Sequence, residues 1–204
     1  MEVLVQIFTL VESSRVIYYS VFDVTFLQSL EGSNLLIARS VSIPGEMTLE
    51  NCIEWKLENN RFSKFSANIP SEVTLLHRKA KLLAQVNALV HKVRYPYNKM
   101  LLAQDYVYDR KFQEAREFLK NPSEERLKEL TYLSDEVEIR KQEPKLVALE
   151  IQRQRSDREF IMKSSERARR FLIVKISASR TDEELNHFAG LIIERNFKIP
   201  MSVL

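Results

Sequence analysis

The period of the apolar residues changes once, across residues 66–71 of the 204-residue chain. Before that point Ile53, Trp55 and Leu57 alternate with Glu54, Lys56 and Glu58, the two-residue repeat of a strand with one wet face. After it Leu76, Ala80, Leu83, Val86, Val90 and Val93 recur at steps of three and four, the stripe of an amphipathic helix. A single switch of this kind segregates strands from helices along the chain. It predicts an α+β fold, with an N-terminal antiparallel β-sheet followed by a helical-hairpin region of four to five helices. The expected division is a β-rich docking domain over 1–70 and a helical domain over 71–204, joined at Ser66–Pro70. About 70 residues is marginal for an independent core, so the sheet is expected to pack on the helices or on another subunit.

Turn chemistry sets the expected elements. Val3–Phe8 and Val16–Thr25 are β-rich runs separated by the polar break Glu12-Ser13-Ser14. Glu31-Gly32-Ser33-Asn34 reads as a turn into a strand over Leu35–Ile43, closed by Pro44-Gly45. Asn59-Asn60 suits a hairpin into Arg61–Phe65. Four to five strands result. Ser71 is a candidate N-cap for the first helix, and Tyr95-Pro96 should end it, because proline disfavours helical geometry in the residue before it. A second helix is expected from about Asn98 to Lys120, and a third begins after an N-cap at Ser123. Pro144 opens a fourth that runs to about Ser177, with a polar middle at Gln152–Glu159 that either bridges through solvent or breaks. Thr181-Asp182-Glu183-Glu184 is a capping box for a fifth, ending near Asn196.

Three glycines are too few for a turn-rich all-β fold and for a glycine-rich phosphate loop. The single Cys52 excludes an intrachain disulfide and a cysteine-pair metal site, and no histidine lies near it in sequence. Synthesis in the cytosol is expected, with no signal peptide in the opening MEVLVQIFTLVESSR and no membrane association. The net charge of +3 is unevenly spread: residues 1–70 hold five basic and eight acidic residues, whereas 153–180 holds nine against three. Arg153, Arg155, Arg158, Arg167, Arg169 and Arg170, with Lys175 and Arg180, form a candidate basic face on the fourth helix. Such a face could neutralise phosphates. Asp157, Glu159 and Glu166 interrupt it, so a solvated or subunit-pairing role outranks nucleic acid.

Other constellations are sparse. Glu184-x-x-His187 has the spacing of one half of a di-metal helix site, and the second half is missing. Lys111 with Glu114, and Glu166 with Arg169, read as helix-surface ion pairs. Trp55 and the tyrosines at 95, 97, 106 and 108 suit packing or interface positions. No catalytic residue, metal or cofactor is assigned. The most distinctive stretch is Gln104–Leu119. Gln104, Tyr108, Lys111, Ala115 and Phe118 share one side of a helix and mix an amide, a phenol and an amine with apolar groups. Together with Glu114 they form a candidate helix seam or interface, with Tyr108 and Lys111 at its edge.

At this stretch the chain resembles a known family. Gln104-x-x-x-Tyr108-x-x-Lys111-x-x-Glu114-Ala115-x-x-Phe118-Leu119 is similar to a helical module in small tail-associated proteins of tailed bacteriophages. The resemblance extends over Val73–Phe188. His77–Arg94 fits the preceding Lys- and Ala-rich helix, Pro144, Leu146 and Glu150 a later segment, and Glu166, Arg169, Arg170, Ile176, Thr181, Glu183, Glu184 and Leu185 the ending. Glu166 follows a serine where the module has isoleucine. The resemblance implies a non-enzymatic virion protein, in a tail or at a fibre attachment point, or else a fibre-assembly chaperone absent from the finished particle. It implies other tail or virion proteins as partners, several copies of the chain, and a location in the virion.

Overall fold

The computed structural model describes residues 5–20, 30, 35–40, 42–65, 68–98 and 104–194. The fold is α+β. Among the described residues, five antiparallel strands, β1 (Val5–Leu10), β2 (Val16–Ser20), β3 (Leu35–Ser40), β4 (Trp55–Glu58) and β5 (Arg61–Lys64), precede six α-helices. The helices are α1 (Ser71–Asn98), α2 (Gln104–Lys120), α3 (Glu124–Glu129), α4 (Thr131–Arg140), α5 (Pro144–Ala178) and α6 (Asp182–Glu194). Val3, the Glu31–Asn34 turn and the expected helix end near Asn196 lie outside the described residues.

The strands form two sheets where one was expected. One has the order β2-β1-β3, and the other is the β4-β5 hairpin. Asn59 and Asn60 both hold positive φ, 49° and 60°, as a two-residue hairpin of primed type requires and as asparagine tolerates. Arg15 and Lys56 bridge the sheets, and the Leu57 N–H donates to the Ser14 carbonyl at 2.9 Å. The third strand, Leu35–Ser40, does not reach the expected Ile43.

The helical expectations hold at two of the three proposed caps. Ser123 adopts extended geometry and accepts from the Arg126 N–H at 3.1 Å. Thr181 accepts from the Glu184 N–H at 3.3 Å. Three expectations need correction. Pro96 does not end α1, which continues to Asn98. Two residues from the end, its missing N–H forfeits one bond, to the Lys92 carbonyl, and α1 tolerates the loss. Ser71 is the first helical residue of α1, and Pro70 supplies the carbonyl that Val73 and Thr74 donate to. The third helix is two, because Leu130 takes φ −102° and ψ 82° between α3 and α4. α5 does not break at its polar middle. No helix among the described residues is long and apolar enough to cross a membrane.

Packing divides the chain into two compact units, 1–90 with 167–204, and 91–166. The expected 70/71 boundary marks the start of α1, and this division falls elsewhere. In the first unit, Ile7, Phe8, Val16 and Ile17 from the sheet meet Ala80, Leu83 and Val86 of α1, with Ile176 and Leu185 from the last two helices. In the second, Ala115, Phe118, Leu130, Leu133, Val147, Ala148 and Ile151 form a smaller cluster.

Candidate functional site

The mixed stripe of α2 divides along its length. Ala115 and Phe118 are buried in the second unit's apolar cluster. Gln104, Tyr108 and Lys111, one to three turns earlier, instead line a cavity of about 470 Å³. Its other walls come from Pro96 and Tyr97 of α1, Glu136 and Arg140 of α4, and Ile151, Gln154, Arg155 and Arg158 of α5. Tyr108 stands at the edge of the seam and is half exposed, as its amphipathic ring allows.

Charge organises the walls. Glu136 sits at the centre, accepting from Lys111 Nζ and, at 2.8 Å, from Arg140 Nε. Arg140 Nη1 then reaches Glu150 at 3.0 Å, so one ionic ladder joins α2, α4 and α5. Burial alone would push the Glu136 carboxyl up. The hydrogen bonds from Lys111 and Arg140 outweigh it and hold the carboxyl below its usual range. Arg155 donates to Glu159 at 2.7 Å and to Asp109 at 2.6 Å, and these carboxylates raise its already high pKa. The same guanidinium lies 5.6 Å from the Phe112 ring centroid, within cation–π range. Arg158 reaches Asp105 at 3.4 Å.

Glu114 has a role that spacing did not reveal. It was expected to pair on the helix surface with Lys111, but Lys111 is taken by Glu136. Glu114 is buried, and its carboxylate accepts from the Leu133 N–H at 2.9 Å. The N-cap of α4 is Leu130, which has no side-chain oxygen to satisfy the first N–H groups of the helix. Glu114 therefore caps α4 from α2, with its negative charge at the positive end of the helix dipole.

The six arginines do not make one face. At about 100° per residue, positions 153, 155, 158, 167, 169 and 170 are spread over an arc of about 220° of α5, too wide for one face. Arg155 and Arg158 turn toward α2 and the cavity, whereas Arg153, Arg167 and Arg170 are exposed. Arg153 lies 3.7 Å from Asp157. Glu166 accepts from Arg94 at 2.8 Å, a partner that linear spacing could not indicate. Sequence reasoning also missed Glu136 and Arg140, whose separation of four residues on α4 is the one local signal they carry.

A second cluster lies in the first unit. The fold brings His77 Nδ1 within 3.8 Å of Cys52 Sγ, although 25 residues separate them. The pair is not built as a nucleophile and base. His77 donates from Nδ1 to the Ile17 carbonyl at 2.7 Å, and burial lowers its basicity. Burial also pushes the Cys52 thiol up to about 12, which leaves almost no thiolate at neutral pH. Glu184, half of the sequence's metal-like spacing, accepts from the Arg180 N–H at 2.6 Å.

What the second unit's cavity offers is binding chemistry: aromatic rings, paired cations and an amide around an open cleft. Comparisons of the chain with protein-family models, with curated proteins and with solved structures found no match in any of the three.

Proposed function

We propose that the protein is a non-enzymatic structural component of a tailed-bacteriophage particle, a tail or fibre-attachment protein that works by binding other virion proteins. The observation that carries this reading is the division of the α2 motif. The residues that resemble the tail-associated module include Ala115 and Phe118, which pack inward, and Gln104, Tyr108 and Lys111, which line an open cleft. A motif built in this way keeps its helix in place with one half and presents recognition groups with the other. Tyrosine and paired cations suit protein partners, because rings bury area and fixed charges select register.

The test is mass spectrometry of purified virions from a phage that encodes the chain. Stoichiometric recovery with tail proteins is the expected result. Synthesis in infected cells with absence from virions would replace the structural role with that of an assembly chaperone. A nucleic-acid role for 153–180 is disfavoured by the carboxylates that engage Arg155 and Arg158. Titration with DNA at two salt concentrations checks it, and steeply salt-dependent micromolar binding would revive it.

A further inference from the structure

We infer that Arg15 and Lys56, where the two sheets meet, form a binding site for an oxyanion, the carboxylate or phosphate group of a ligand. The inference goes beyond the reading as a tail protein and does not rest on it.

Arg15 is 4% exposed, yet among the described residues no carboxylate pairs with it. A buried arginine is ordinarily paired, because a charge taken out of water needs a counter-charge. Two groups hold this one. Nη1 donates to the Ile53 carbonyl at 3.1 Å, and the guanidinium carbon lies 3.9 Å from the Phe65 ring centroid. Neither neutralises the charge, and burial lowers the pKa below the usual arginine value. What remains is the edge formed by Nε and Nη2, whose two parallel N–H groups match the oxygens of a carboxylate or phosphate. That edge is not sealed. The enclosed side-chain polar atoms without a partner, among the described residues, are Trp55 Nε1 and Ser177 Oγ.

The second cation selects the charge of the ligand. Arg15 and Lys56 are cross-strand partners in an antiparallel bridge. The Leu57 N–H donates to the Ser14 carbonyl beside that bridge, so the pair is of the non-hydrogen-bonded kind, in which side chains come closest. Like charges directly opposite one another repel. Lys56 Nζ also lies 5.9 Å from the Phe65 centroid, so both cations converge on one ring. Glu58 reaches Lys56 at 2.9 Å and is half exposed, a surface pair that an incoming anion can exchange. Glu54 is exposed and, among the described residues, pairs with neither cation. An oxyanion on the free edge of Arg15 satisfies that edge and relieves the repulsion from Lys56 at once.

The experiment titrates the full chain with sodium phosphate and, separately, with sodium acetate. Sodium chloride holds the ionic strength constant, and heteronuclear NMR follows the Arg15 Nε–H. A shift that saturates at concentrations on the order of millimolar is expected, and the tighter of the two anions names the group the site takes. Arg15→Lys keeps the charge and loses the fork, and should weaken binding by about tenfold or more, read by calorimetry. Lys56→Gln should weaken it by a smaller factor. Arg15→Met removes the buried charge and keeps the stem. Its melting temperature in chloride should be equal to or above that of the native chain, and phosphate should add nothing to it. Saturation by neither anion, or binding unchanged in both Arg15→Lys and Lys56→Gln, would overturn the site and leave Arg15 as a tie between the sheets. Should Arg15→Met fail to fold, the native chain and Lys56→Gln, whose side chain is partly exposed, still decide.

Discussion

In the unit formed by 1–90 and 167–204, Ile7, Phe8, Ile17, Leu83 and Leu185 are fully enclosed, and strands and helices contribute alike. In the unit formed by 91–166 the apolar cluster is smaller and includes two alanines. There the helices are also joined by charge: Lys111, Glu136, Arg140 and Glu150 in one ladder, Arg155 with Asp109 in another link, and Arg94 with Ser165 and Glu166 in a third. The difference bears on what each unit tolerates. A dry core is sensitive to lost volume, and in this unit the pH response comes from buried His77, whose basicity burial lowers, so that acid favours the unfolded state. A bundle laced by half-buried ion pairs is sensitive to the ionisation of its members, because removing one partner leaves the other poorly solvated.

The sharpest test of this contrast sets two phenylalanines against each other. Phe8→Ala should lower unfolding free energy by about 5 kcal/mol, and Phe118→Ala by about 3 kcal/mol, both measured by urea denaturation. Equal losses would break the contrast. Next in size is Glu114→Ala, which strands the Leu133 N–H inside the bundle and should cost about 1–3 kcal/mol. Glu114→Gln should restore most of it, since the amide oxygen can still accept.

A pH series on Glu136 follows. Its folded pKa is lowered, so the unfolded state binds the proton more readily. Its contribution is complete above the ordinary carboxylate value of about 4.3 and fades as pH falls through the lowered folded value. Glu136→Gln should flatten that part of the stability profile. An unchanged acid limb would show that the ladder does not hold the unit. The smallest effect is expected at Lys141, which ends α4 at φ 52° and ψ 42°. Glycine occupies that geometry without steric cost, so Lys141→Gly should raise stability by about 1 kcal/mol.

Legibility in the sequence followed the range of the interactions. The α1 stripe, the caps at Ser123 and Thr181 and the Asn59-Asn60 hairpin depend on neighbours a few residues away, and each was readable. Pro96 misled because breaker rules give a tendency, and the split at Leu130 was hidden because an apolar stripe with no breaker residue reads as one helix. The candidate site was half legible. Helical spacing put Gln104, Tyr108 and Lys111 on one side of α2. It could not show that Lys111 would find Glu136 on another helix, or that Glu114 would cap α4. Those pairings are 25 and 19 residues apart and exist once the bundle has closed. The basic stretch shows the opposite failure. Composition suggested one cationic face, and the turn of the helix distributes it.

The burial of Cys52 has a practical consequence for following motion in the first unit. A thiol whose pKa stands near 12 reacts with alkylating or disulfide reagents only after the surrounding sheet has opened. As the single cysteine of the chain, it makes labelling report one position without engineering. At low reagent concentration the labelling rate follows the equilibrium between closed and open forms, and at saturating reagent it becomes the opening rate itself. The side chain least equipped for chemistry in the native protein is thereby a built-in clock for the breathing of its own core.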